Sequence, residues 1–279
     1  MSKIRSYLPW GAKNVVRIVR LQGTIRPQSR GQGLNLQKID KHLGKAFDIK
    51  KVKPKAVCLE INSPGGSAVQ SSLIYQRIRN LSKATEVPVL SFTEDYAASG
   101  GYWLALAGDE IFVDPNSVVG SIGAVFGNFG FEEAIKKLGL EWRLITAGEN
   151  KVRMDPFKPL KQADVDHTAK ILHSVHDNFI QLVKERRPSL DPNHKSAFSG
   201  DFFIGKDAVS MGLADGFCSD LKALCIERFG KDVKFERCEP PKGFLDRFQG
   251  VGSNARIELS VGELLDELTD KQQEAKFGL

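Results

Sequence analysis

Three short stretches set reactive or polarising groups in glycine-bearing turns: "EINSPGGSA" (Glu60 to Ala68), "YAASGGYWLALAGDEI" (Tyr96 to Ile111) and "ITAGENKVRMDPF" (Ile145 to Phe157). In the second, Ser99 stands between two alanines and two glycines, ahead of an apolar run. Small neighbours let backbone and substrate approach closely, and paired glycines allow a sharp turn with exposed amides. That environment suits a nucleophile, and it equally suits a helix N-terminus capped by a serine with no chemistry. In the first stretch a strand runs into Pro64-Gly65-Gly66 before a helix, a tight turn that leaves backbone N–H groups where anionic oxygen is stabilised. With both turns at one edge of a parallel sheet, the amides of Gly66 and Gly100 converge beside Ser99 as an oxyanion hole. Such a donor is worth about 2.7–4 kcal/mol.

A serine nucleophile needs a base. No histidine lies between His42 and His167, so the glycine turns carry no imidazole. A lysine base is the remaining option, since a desolvated lysine can accept a proton near neutrality. Lys151, after the strand-like "EWRLITAG" and before Asp155-Pro156-Phe157, is the candidate. For an arbitrary lysine a solvated surface position is the commoner explanation.

The elements that must position these residues alternate. Strand-like runs are "NVVRIVRLQG", "KAVCLEIN", "VPVLSFTE", "EIFVDP" and "EWRLITAG". Helical periodicity falls near 36–47, 67–83, after Ser99, near Glu132 and over 162–186, the last ended by Pro188. "DFFIGKDAVSMGLADGF" and "SDLKALCIERFG" read as two further helices. Continuous apolar strands alternating with helices predict an α/β fold, a parallel sheet with flanking helices. The expected organisation is a basic N-terminal segment (1–13), one domain over 14–249 and a charged amphipathic tail (250–279).

Four motifs in this order, "EINSPGGS", "YAASGGYWLA", "VVGSIGA" and "TAGENKVRMDPFKP", resemble those of peptidase family S49, the protease IV or SppA-type signal peptide peptidases, over roughly residues 15–217. The resemblance implies a ClpP/crotonase-like fold and a Ser/Lys dyad. Ser99 would be the nucleophile, Lys151 the general base, and Gly66 and Gly100 the oxyanion donors. Ser121 would match the position whose hydroxyl steers the lysine. It also implies a serine endopeptidase acting on short hydrophobic peptides such as signal-peptide remnants. A single copy of the repeat implies a homo-oligomer in which Ser99 and Lys151 meet across a subunit interface. Two other functions share the motifs in part. A crotonase-type acyl-CoA enzyme uses paired amides with carboxylates and would retain a CoA thioester. A catalytically silent scaffold of the same fold would resist an active-site serine probe.

Charge and composition bound the rest. The net charge of +6 is uneven, with no acidic residue before Asp40. That pattern fits a solvated basic face first and peripheral membrane association second; with no aromatic-basic module, nucleic acid is not expected as a partner. No apolar run reaches the roughly 18 residues of a membrane span, and the compartment is unassigned. Cys58, Cys218, Cys225 and Cys238 lack metal-ligand or disulfide-framework spacing and read as reduced, buried thiols of a cytosolic-type compartment. His173 and His176 have no carboxylate completing a ligand set, so they read as surface or interface residues, and neither metal nor cofactor is expected.

Overall fold

In the computed structural model, residues 14–27 and 33–239 are described. The expected segments at 1–13 and 250–279, and the end of the expected domain at 240–249, lie outside them. β1 (Val15–Gln22), β2 (Ala56–Ser63) and β3 (Val89–Ala98) run parallel at the centre of an eight-stranded sheet. α1 (Leu36–Ala46) and α2 (Ala68–Thr85) are the crossovers between them. Successive β1 residues are buried on opposite faces, Val19 and Leu21 in the larger core and Val16 and Ile18 in a smaller one. That two-sided burial is why the strand reads as an unbroken apolar run.

Local chemistry sets the helix ends. Asn35 accepts from the amide of Lys38 to start α1, and Ser67 accepts from that of Gln70 to start α2. β3 is longer than its neighbours and forks. Its first half, Leu90 to Thr93, pairs with β4 (Glu110–Val113), and its last residues, Tyr96 to Ala98, pair with β5 (Val118–Gly120). Between β3 and β4 lies the short α3 (Gly100–Ala105), every residue of it buried.

Beyond β5 the chain departs from the sequence reading. "EWRLITAG" is not a strand: no strand occurs between β5 and β6 (Phe202–Ile204) among the described residues. Residues 124–161 are instead a largely exposed arm holding the short α4 (Glu132–Lys137). The arm is tied to itself by Phe131 N–H donating to the Pro156 carbonyl at 2.6 Å and by Trp142 and Phe131 against Phe157, with ring centroids 5.0 and 5.7 Å apart. The apolar alternation read as a strand serves this arm.

α5 (Gln162–Arg186) then returns to the body and stops ahead of Pro188, as expected. The stretch read as one helix from Asp201 is β6, α6 (Gly205–Met211) and β7 (Gly216–Phe217). β6 lies antiparallel to β5, so the sheet is mixed at that edge. α7 (Leu221–Phe229) packs with the smaller core, and β8 (Lys234–Arg237), absent from the sequence reading, pairs with β1.

Two polar anchors lock the site helix and its support. The Tyr102 hydroxyl, fully buried in α3, donates to the Leu213 carbonyl at 2.7 Å; burial pushes its phenol well above the ordinary value. Arg187, 5% exposed, holds Asp215 through two bonds of 2.7 and 2.8 Å. All four cysteines are free, three of them buried and Cys218 partly exposed. No described helix is long and apolar enough to cross a membrane.

Candidate active site

Ser99 occupies the junction between β3 and α3 with φ 52° and ψ −119°. An L-residue is held in such a conformation only when its surroundings over-determine it, and these outliers cluster at functional sites. A serine on a sharp strand-to-helix turn is also the arrangement that presents a nucleophilic hydroxyl in α/β hydrolases. The surroundings here are explicit. Ser99 N–H donates to the Gly120 carbonyl at 2.8 Å, and the Ser99 carbonyl accepts from Trp103 N–H at 3.1 Å. Ser99 sits at the N-cap of α3, yet its side chain makes no capping hydrogen bond. The capping alternative raised by the sequence therefore fails at this serine, while Ser67 does cap α2.

The Pro64–Gly66 turn lies directly against this junction. A Cβ on Gly65 would stand 2.7 Å from the Ala98 carbonyl oxygen and the Gly100 nitrogen, and 2.8 Å from the Ser99 Cβ. Only a glycine permits that approach. Gly66, at φ 134°, is held by the neighbouring bonds, with Ile25 N–H donating to the Gly65 carbonyl and Ser67 N–H to the Ile25 carbonyl, both at 2.7 Å. Among the described residues neither the Gly66 nor the Gly100 amide has a backbone acceptor. For Gly100 the reason is general, since the first amides of a helix have no intrahelical partner.

Ser99, Gly66, Gly100 and Ser121 all line one groove of about 650 Å³. Ser121 follows β5 at φ 52°, and its amide donates to the Asp201 carbonyl at 2.7 Å. Four of the five expected site residues thus come together within one chain. Lys151 does not join them. It lies exposed in a turn of the arm, its amide donating to the Gly148 carbonyl at 3.2 Å, outside the residues that line the groove. Around it the arm exposes Val125, Phe129, Leu138, Leu140, Leu160 and Ile145, the last 98% exposed.

Sequence reasoning missed the far wall of the groove, which comes from α5. Leu172, Val175, His176 and Phe179 line it, with Phe179 stacked on Trp103 of α3 at 4.6 Å between centroids. A signal was present: Leu172, His176, Phe179 and Val183 form one helical stripe, in which the histidine interrupts apolar residues. Among the described residues no group of His, Cys, Asp and Glu could hold a metal ion.

The family model "Peptidase family S49" matches residues 82–224, just over half of the chain. A protein named Na(+)/H(+) antiporter NhaA from Brucella abortus (strain 2308) is 42% identical over 274 residues, covering 95% of this chain and 37% of that protein. Protease 4 from Haemophilus influenzae is 34% identical over 208 residues, covering 74% of this chain and 33% of that protein. The chain therefore spans roughly a third of the length of these curated relatives. Among solved structures, a lysine-to-alanine mutant of the 1510-N membrane-bound stomatin-specific protease in complex with a substrate peptide superposes with a TM-score of 0.51. It is 17% identical and covers 85% of this chain and 96% of that one. That likeness carries the fold, a ClpP/crotonase-like α/β arrangement, and the family match carries the lineage: this chain belongs to peptidase family S49.

Proposed function

We propose that the chain is a serine endopeptidase that cleaves short, extended, hydrophobic peptides such as signal-peptide remnants. One observation carries the reading: Ser99 is strained, sits at a helix N-cap without capping it, and lines one groove with Gly66 and Gly100, whose amides lack backbone acceptors. Family membership and the peptide-bound structural relative support a peptide substrate. The groove walls, Val125, Leu172, Val175 and Phe179, offer apolar surface to it.

In this mechanism the Ser99 Oγ attacks the scissile carbonyl carbon while its proton passes to the Lys151 Nζ. The carbonyl oxygen, now an anion, accepts from Gly66 N–H and Gly100 N–H. The intermediate collapses to an acyl-enzyme as the lysine returns the proton to the leaving amine. Water, deprotonated by the same lysine, then attacks the ester carbon; the bond to Ser99 breaks and the lysine returns its proton to the Ser99 Oγ as the acid product leaves. The Ser121 hydroxyl, in the same groove, steers the amine.

In this reading Lys151, exposed on the arm and outside the groove of its own chain, meets Ser99 from a second copy of the chain. The apolar exposed arm is the surface for that contact, because contiguous apolar residues on a surface mark association sites. Docking the arm against a neighbour would desolvate both its apolar residues and the lysine, completing the site with Lys151 of the partner subunit. The basic stretch ahead of Asp40 supports a peripheral place beside an anionic membrane surface.

The test is a native mass measurement after fluorophosphonate treatment. A single adduct per subunit on Ser99, in an oligomer, is the expected result. An unlabelled protein that also leaves peptides intact overturns the proposal.

A further inference from the structure

Two ring nitrogens on residues that line the groove are not used by the proposed hydrolysis. Trp103, 9% exposed, has its indole Nε1 buried without a hydrogen-bond partner, and His176 has its Nε2 buried without one. Both residues line the groove that contains Ser99. They come from different helices, Trp103 from α3 and His176 from α5, and Phe179 links them. Phe179 lies one helical turn beyond His176 and stacks on the Trp103 ring with an interplanar angle of 26°.

An indole N–H can only donate, and an imidazole nitrogen either donates or accepts. Buried polar groups are nearly always paired, so two unpaired ones on residues of one groove need an explanation. A pocket built only for hydrocarbon would place an aliphatic residue at position 176, in line with Leu172, Phe179 and Val183. It would leave the wall around Trp103 without an unmet donor. A ligand tip that offers an oxygen to the indole N–H and a matching oxygen or N–H to the imidazole nitrogen removes both penalties at once. A ligand without one leaves them standing, which is how buried polar groups reject analogues far more strongly than apolar walls do.

We infer that Trp103 and His176 form a side-chain subsite that selects a substrate residue with an apolar stem and an oxygen acceptor at its tip, a carboxamide or a carboxylate. The indole N–H donates to that oxygen. The imidazole Nε2 makes the second bond, donating to an oxygen or accepting from a carboxamide N–H. Leu172, Val175 and Phe179 cover the stem. The inference rests on the peptidase reading only in taking the ligand to be a peptide, and it narrows the expected hydrophobic preference to side chains that end in a polar tip.

Binding to the full-chain Ser99→Ala protein tests it without requiring hydrolysis. Peptides differing only by leucine, methionine, glutamine or glutamate, scanned through each position, are compared by titration calorimetry. At one position glutamine or glutamate should bind at least tenfold more tightly than methionine of similar length, and which of the two wins separates carboxamide from carboxylate. Adding Trp103→Phe, which keeps the stack and loses the N–H, should cut that ratio to near one. His176→Leu should do the same should the Trp103 variant not fold. Equal affinity across the series, no binding of any peptide, or a preference that survives both substitutions overturns the subsite. Fluorophosphonate labelling of wild-type Ser99 separates the two readings. Labelling without a polar preference removes the subsite alone, and a polar preference without labelling removes the hydrolysis alone.

Discussion

The amide of Ser99 donates to the carbonyl of Gly120 at 2.8 Å, which ties the end of β3 to the end of β5. The next residue in the chain, Ser121, is thereby carried into the same groove. One backbone bond positions two of the hydroxyls that the proposed chemistry uses, and the strain at Ser99 is the cost of this arrangement.

Relieving that strain should separate stability from activity. Ser99→Gly is expected to gain on the order of 1 kcal/mol, since backbone strain of this kind costs about 1–3 kcal/mol and glycine's extra chain entropy returns part of it. It should lose all hydrolysis and all fluorophosphonate labelling. Thermal melts alongside a peptide assay decide the matter, and an active glycine variant would remove Ser99 from the mechanism.

Neither Ser99→Ala nor Lys151→Ala should cleave peptides alone, but mixing the two should restore part of the activity once subunits exchange. Lys151→Arg should be as inactive as Lys151→Ala, because a guanidinium keeps its proton. Isotope-labelled subunits followed by native mass spectrometry establish exchange. Exchange without recovered activity would place both residues in one chain.

Gly66→Ala should be doubly damaging. At φ 134° an alanine is strained, and its Cβ would meet the Ile25 carbonyl. The shifted turn would move an oxyanion donor, for which losses on the order of 10²-fold in kcat are typical. A variant with wild-type kcat would show that the Gly66 amide does not face the developing charge.

Asp215 sets an acid limit on stability. Burial disfavours its charged form, but the two bonds from Arg187 and the Ile111 amide outweigh that, and its carboxyl titrates below the ordinary range. A depressed carboxylate contributes stability above its unfolded value of about 3.9 and loses it as pH falls through the folded value. Asp215→Asn leaves the buried Arg187 guanidinium without its charge. Breaking a buried pair costs about 3–5 kcal/mol, and with Asp215 partly exposed on the order of 2–3 kcal/mol is expected at pH 7. Urea melts should show the gap from wild type narrowing near pH 3. A constant gap would mean that the pair carries no net charge stabilisation.

The parts of the site that sequence made legible share a cause. Ser99 and Ser121 each follow a strand directly and Gly66 closes the turn three residues after one, and small residues at such junctions have few other reasons to occur. His176 and Phe179 could not be placed in the same way, because only tertiary packing brings α5 over α3. "EWRLITAG" misled because β-like alternation fits an apolar arm as well as a sheet. β8, "KFER", is short and largely exposed, so it offered almost no apolar signal.

The fork in β3 divides the sheet into parts that should exchange their amide hydrogens at different rates. β2 and the first half of β3 are buried on both faces and should open only with global unfolding. The branch of β5 and β6 has three residues in each strand and an exposed outer edge, so it can fray while the rest stays folded. The Ser99 amide directly follows the buried strand but is protected by an acceptor on the fraying branch. Its deuterium uptake should therefore follow β5 rather than β3, making this single amide a local reporter of how often the groove loses its rim.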